Sequence, residues 1–214
     1  MRRVLALALA AMWFAVAGPE SVRAQTFALP GITFASASDN FRLLAVTGTG
    51  TVEDPFVVVE EVLADGDTVL YVNVHDGRFG SRLNTFHAVG FALTKVVINR
   101  TDYVWDFYNM ELERNVGQSS DYFDGLSFGQ ETDANRPFRS DHFKVVEDIV
   151  EPNDVIRFTE GFVGPGDVVQ FHLAITHTVN TPRFYLVQHA RQPIARETGS
   201  QDRDVAALPG TTVR

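Results

Sequence analysis

The chain has 214 residues, with 18 lysines and arginines against 27 aspartates and glutamates, which gives a formal net charge of −9. Such an acidic surface repels phosphate backbones and anionic lipid head groups, so we predict no nucleic-acid partner and no membrane-surface role. The sequence contains no cysteine, which excludes a disulfide framework and lipid attachment at a bacterial lipobox.

The N-terminal 24 residues have the order of a secretory signal peptide. Two arginines follow Met1, an apolar run covers residues 4–17, and a Gly-Pro pair leads into a short polar stretch. We predict cleavage between Ala24 and Gln25, with Ala17 as the alternative site, because small residues fit signal peptidases. A membrane anchor is less favoured, since crossing hydrocarbon takes about 20 apolar residues. The expected product is periplasmic or secreted, without a membrane span after cleavage.

The rest of the chain shows short runs in which apolar and polar residues alternate, a pattern typical of strands. Seventeen phenylalanines and many valines and threonines favour the same structure. In the clearest run, Val169, Phe171 and Leu173 share one face, while Gln170 and His172 share the other. The runs cover residues 41–47, 55–63, 69–74, 88–99, 105–114, 143–149, 155–159, 168–178 and 183–188.

These runs predict an all-β fold. No window shows a sustained 3.6-residue period long enough for a core helix, and parallel crossovers usually need such a helix. We therefore expect an antiparallel β-sandwich of about 8–10 strands, with a closed barrel as the second choice. A single domain is expected over residues 25–190, with a long loop at 115–142 and a flexible tail at 191–214. Long ordered loops often carry function, so this loop is the expected contact surface.

One motif indicates nucleophilic chemistry. Gly125-Leu126-Ser127-Phe128-Gly129 matches the G-x-S-x-G elbow that exposes a nucleophilic serine. The chain order permits a triad completed by Asp141, Asp154 or Asp167 and by His172, His177 or His189. The elbow requires a strand that ends at the serine and a helix that begins there, and neither is evident in this sequence. A glycine-flanked bend that packs the leucine and phenylalanine is therefore favoured over a catalytic Ser127.

Calcium is the metal hypothesis, because the chain is acidic and its aspartates concentrate in turns. Hard cations bind about six to eight oxygen ligands, which aspartate-rich loops supply. Asp121 and Asp124, in the long loop, are the candidate ligands. No stretch matches an EF-hand, and turn formation is a sufficient explanation for most of these aspartates. The six histidines show no close ligand spacing, so a transition-metal site is not expected.

An aromatic cluster is the candidate surface for a sugar ligand. Tyr103 and Trp105 would share one face of a strand, and Tyr122 follows in the long loop. Rings at such positions belong to a protein core at least as often as to a ligand surface. The core interpretation is favoured, since Asp102 and Asp106 provide the polar positions of a half-buried strand.

Two segments carry a resemblance to a known group of proteins. The first contains Asn99-Arg100-Thr101 followed by Trp105, and the second contains Pro165-Gly166 followed by Phe184-Tyr185-Leu186-Val187-Gln188. Together they resemble exported bacterial β-sandwich modules, often found in proteins with a PEP-CTERM sorting tail. The resemblance spans roughly residues 97–188 and implies a surface or matrix component without a known catalytic residue. The sequence after Pro193 lacks the P-E-P motif, apolar helix and basic end of such a tail.

These observations predict an exported, non-catalytic β-sandwich that binds a protein or glycan partner or serves as a surface or matrix component. A secreted serine hydrolase that uses Ser127 is the first alternative. A calcium- or carbohydrate-binding accessory module is the second. No cofactor other than calcium is expected.

Overall fold

The computed structural model describes residues 25–121, 123–129, 137–149 and 152–191. In these ranges the chain forms two β-sheets that pack against each other and do not close into a barrel, so the predicted β-sandwich is confirmed. The predicted signal peptide at 1–24 lies outside the described residues, as does the predicted tail at 191–214 apart from Arg191, which ends a strand. Within the described ranges, no helix has the length and apolarity that crossing a membrane requires.

The larger sheet has eight strands, and each neighbouring pair in it runs antiparallel. Its strands are β1 (Thr26–Leu29), β2 (Ile32–Ser36), β5 (Thr68–Val74), β7 (Phe107–Asn115), β8 (Gln118–Ser119), β11 (Phe143–Ile149), β12 (Val155–Gly161) and β14 (Arg183–Arg191). Their order across the sheet is β1-β2-β5-β14-β7-β12-β11, and β8 pairs with β7.

The smaller sheet has six strands, which are β3 (Phe41–Thr47), β4 (Phe56–Val62), β6 (Val89–Asn99), β9 (Leu126–Phe128), β10 (Arg139–Ser140) and β13 (Val168–His177). Their order across the sheet is β10-β13-β6-β4-β3, and β9 pairs with β13. One pair departs from the expected antiparallel arrangement, since β4 and β6 run parallel. The crossover between them passes through β5 in the opposite sheet, so it needs no helix.

The described residues form fourteen strands, more than the number of alternating runs in the sequence. The additional strands are short. Three of them, β8, β9 and β10, fall in the stretch 115–142, where the sequence is rich in turn residues and lacks alternation. Their backbone pairs with long strands that the alternation does reveal, so tertiary contact creates them rather than local propensity.

The core lies between the sheets and follows the alternation of the long strands. On β13, Val169, Phe171 and Leu173 are fully buried. Aromatic rings from both sheets fill the space, and the ring centroids of Tyr108 and Phe171 lie 4.6 Å apart. Some residues at the inward-facing positions are charged, such as Lys95 and Glu60. Residues at the alternate positions, such as Thr94 and His172, face outward and line a groove.

Candidate functional site

Ser127 lies inside the protein rather than at an exposed elbow. It sits on β9 opposite Thr176 of β13 and is 4% exposed. Its Oγ lies 3.0 Å from Oδ1 of Asp154 and 3.1 Å from the carbonyl oxygen of Phe128. In the described part of the chain, no imidazole forms a hydrogen bond with this hydroxyl. The triad that the chain order permits is therefore not assembled around Ser127 in this structure.

Packing accounts for the glycine that opens the Gly125–Gly129 motif. Gly125 has a φ of +78°, and a Cβ atom placed on it would lie 2.1 Å from Oγ1 of Thr178. The residues on either side of Ser127 are core side chains, because Leu126 is 1% exposed and Phe128 is fully buried. The motif thus forms a tight bend that leads into a short strand, as expected for a glycine-flanked bend that packs Leu126 and Phe128.

Asp154 lies within hydrogen-bond distance of two serine hydroxyls. It is 2% exposed, and its Oδ1 and Oδ2 atoms lie 3.0 Å and 3.2 Å from the hydroxyls of Ser127 and Ser120. Burial raises the pKa of Asp154 to about 6, although both hydroxyls oppose the rise. Nearby carboxylates, Asp124 before Asp148, raise it further.

The hydroxyl of Ser120 has more acceptors around it than it has protons. Its Oγ lies 2.9 Å from Oδ1 of Asp124 and 2.8 Å from the carbonyl oxygen of Leu126, in addition to its contact with Asp154. A serine hydroxyl donates one proton. A protonated Asp154 would donate to Ser120, which would then donate to one of the other two oxygens. The geometry therefore favours the neutral acid, in agreement with its raised pKa.

The carboxylate groups of the two calcium candidates, Asp121 and Asp124, bind other groups of the protein. Oδ1 of Asp121 accepts the backbone N–H groups of Phe123, at 2.9 Å, and Asp124, at 3.2 Å. Asp124 accepts the N–H of Leu126 at 2.9 Å and forms an ion pair with Arg114 at 3.2 Å. Among the described residues, no three His, Cys, Asp or Glu side chains cluster in a way that could hold a metal ion. The contacts are those of an aspartate turn.

The aromatic candidates do not form a shared ligand surface. Trp105 is fully buried, and its Nε1 donates to Oγ1 of Thr101 at 3.2 Å, so its ring faces the core. Tyr103 packs partly against the same core, and its hydroxyl donates to Asp65 at 3.0 Å. Partial burial and this carboxylate raise the pKa of Tyr103 to about 12. Tyr122 lies outside the described residues.

The Asn99-Arg100-Thr101 motif has a structural role. Asn99 is fully buried, and its Nδ2 donates to the carbonyl oxygens of Tyr103 and Val163 at 2.9 Å and 3.0 Å. Its Oδ1 accepts both the backbone N–H and the hydroxyl of Thr101. One side chain thus joins the end of β6 to the segments that precede β7 and β13.

A groove of about 200 Å³ lies on the outer face of the six-stranded sheet. Its floor contains Ala92 of β6 and Ala174 of β13, which pack with Leu83 in a small apolar cluster separate from the main core. Val52, Pro55 and Pro137 also line it. Small side chains at outward-facing positions leave this depression in the sheet surface.

Three polar side chains form a row across neighbouring strands at the groove. In the strand register, His172 of β13 lies opposite Thr94 of β6 on one side and Arg139 of β10 on the other. The Oγ1 of Thr94 lies 3.2 Å from Nδ1 of His172. Burial, and to a smaller degree Arg139, lowers the pKa of His172, while Asp141 opposes the change.

Alternation places His172 on the polar face of its strand but does not identify its neighbours. The row depends on the pairing of three strands that are distant in the chain, and alternation does not reveal such pairing. The one local feature that indicates a groove is Ala174, a small residue two positions from His172 on the same face of the strand.

Comparison of the chain with protein-family models, curated proteins and solved structures gave no significant match.

Proposed function

We propose that this chain is an exported, non-catalytic β-sandwich that binds a partner through the groove on the outer face of its six-stranded sheet. The observation that carries the proposal is the row of Thr94, His172 and Arg139 beside an apolar floor. Binding sites commonly combine a concave, largely apolar surface with a few convergent polar groups. Export is inferred from the signal-peptide pattern in residues 1–24.

The surroundings of Ser127 support a non-catalytic role. A nucleophilic serine needs a base within hydrogen-bond reach and an open face for the substrate. Ser127 is 4% exposed, and its hydroxyl lies against the buried carboxyl group of Asp154 and the carbonyl oxygen of Phe128. A hydroxyl buried in this way offers no open face to a substrate, so this arrangement supports a structural function of the motif.

A thermal-shift screen with a groove-filling variant tests the proposal. The panel contains calcium chloride, neutral and acidic oligosaccharides, and short carboxylates. Ala92→Leu narrows the groove, and Ala28→Leu is the matched control on the exposed edge strand β1. A ligand that prefers the folded protein raises the apparent Tm. We expect a response from the wild type and the control that is lost in Ala92→Leu. A panel without response, or an equal response from all three proteins, would overturn the proposal.

A further inference from the structure

The hydroxyl of Thr94 fixes the tautomer of His172. Thr94 is 7% exposed, and a buried hydroxyl proton requires an acceptor. In the described part of the chain, the acceptor within reach of this hydroxyl is Nδ1 of His172, at 3.2 Å. Thr94 therefore donates to Nδ1, and the neutral imidazole carries its proton on Nε2. The ring is left with an N–H donor for a ligand.

Arg139 adds a positive charge beside that donor. Directly paired residues on neighbouring strands share a face of the sheet, so its side chain lies on the same side as His172. Within the described ranges, Arg139 forms no ion pair. Oδ1 of Asp141, two residues further on, already accepts the N–H of Gln170 and contacts Nδ1 of His142, both at 2.8 Å. No carboxylate among the described residues therefore occupies the guanidinium, and we treat it as available to a ligand.

The polar groups of the groove select the charge of the ligand. Among the described residues that line the groove, none carries a carboxylate. An ammonium ligand would be repelled by Arg139, and an uncharged apolar ligand would form no hydrogen bond with its guanidinium. A carboxylate accepts from both a guanidinium and an N–H group. The net charge of −9 acts weakly at this range, because salt screens charges beyond about 8–10 Å.

The floor and the size of the groove select the body of the ligand. Leu83, Ala92 and Ala174 offer an apolar surface and no hydrogen-bonding side chain. The volume of about 200 Å³ is smaller than the roughly 300–1,000 Å³ of sites that enclose drug-sized molecules. We infer that the groove binds a carboxylate carried on a short aliphatic chain, an inference that rests on the proposed binding function.

Three compounds of matched shape test this inference: butyrate, butyramide and butylamine. Each is titrated into the protein at pH 7.5 while NMR follows the imidazole signal of His172, assigned by its loss in His172→Gln. We expect butyrate to shift this signal saturably, with a Kd of about 1 mM or weaker for so small a ligand. The amide and the amine should bind at least about tenfold more weakly, because they lack the charge that pairs with Arg139.

Two variants of equal charge change provide the control. Arg139→Gln should weaken butyrate binding at least about tenfold, whereas Arg183→Gln, an exposed arginine on β14 of the other sheet, should leave it unchanged. Equal binding of butyrate and butyramide, or no effect of Arg139→Gln, would overturn the inference. Equal binding of inorganic phosphate would also overturn it, since the aliphatic chain would then contribute nothing.

The same experiments separate this inference from the proposed function. If another panel ligand binds and Ala92→Leu abolishes its binding while Arg139→Gln does not, the groove is a binding site and the carboxylate assignment is wrong. If butyrate binds equally to Ala92→Leu and the wild type, the groove itself is not the site, and both statements fail.

Discussion

The Nζ atom of Lys95 lies 2.6 Å from Oε2 of Glu60, and both side chains are fully buried between the two sheets. Lys95 lies on β6 between the buried Leu93 and Val97, and Glu60 lies on β4 between the buried Val58 and Val62. Burial lowers the pKa of Lys95, and the Glu60 carboxylate opposes that change. Each charge is tolerated in the core because the other one is present.

Removing one partner of this pair should therefore cost much more than removing both. Lys95→Met leaves a buried carboxylate unpaired, and we expect it to lower the free energy of unfolding by about 3–5 kcal/mol. The double variant Glu60→Leu/Lys95→Met replaces the pair by apolar groups and should recover most of that loss. Urea unfolding measures both. Lys144→Met, an exposed lysine on β11, is the control and should change stability by less than about 0.5 kcal/mol.

The inward-facing position of Lys95 could be predicted from the alternation of residues along its strand. Leu93, Lys95 and Val97 are alternate residues of one run, and both hydrophobic neighbours are buried, so the cation between them also faces the core. Its partner was not predictable, because β4 and β6 pair in parallel across a crossover through the other sheet. Alternation gives the face of each side chain, but the pairing of strands decides which side chains meet.

The same limit applies to the groove. Thr94, Arg139 and His172 belong to three strands, and a shift of one residue in either pairing would place a side chain on the opposite face. β10 has only two residues and no alternation of its own. Its place beside β13 follows from tertiary contact, so Arg139 could not be recognised as a neighbour of His172 from the sequence.

The contribution of Asp154 to stability should fall as the pH rises from about 4 to about 6. Its pKa is raised from 3.8 in the unfolded chain to about 6 in the folded protein. The folded state therefore favours the protonated acid, and this contribution is complete below pH 3.8 and is lost as the pH rises through about 6. The shift corresponds to at most about 3 kcal/mol.

Asp154→Asn isolates this contribution. Asparagine can accept from Ser127 and donate to Ser120, as the protonated acid does. We expect Asp154→Asn to be more stable than the wild type at pH 8 by up to about 3 kcal/mol, and to differ little from it at pH 4. Asp39→Asn, at an exposed site, is the control. Urea unfolding at both pH values decides the matter, and an equal effect of Asp154→Asn at pH 4 and pH 8 would contradict the argument.

Ser127 should matter for stability and not for ester hydrolysis. In Ser127→Ala, Asp154 loses one of its two hydroxyl partners, so we expect a loss of about 1–2 kcal/mol in the free energy of unfolding at pH 7. Hydrolysis of p-nitrophenyl acetate by the wild type should match a buffer and bovine serum albumin background. Activity above that background that disappears in Ser127→Ala would instead support the serine hydrolase hypothesis.

Replacing Asn99 by aspartate, which has the same shape, should destabilise the protein. In Asn99→Asp, the two carbonyl oxygens of Tyr103 and Val163 would face a carboxylate oxygen in place of an N–H donor. The site is fully buried, so we expect destabilisation by about 2–4 kcal/mol. Asn115→Asp, the same change at an exposed position, should cost less than about 0.5 kcal/mol. If thermal unfolding shows equal Tm values for the two variants, Asn99 does not hold β6 to the segments before β7 and β13.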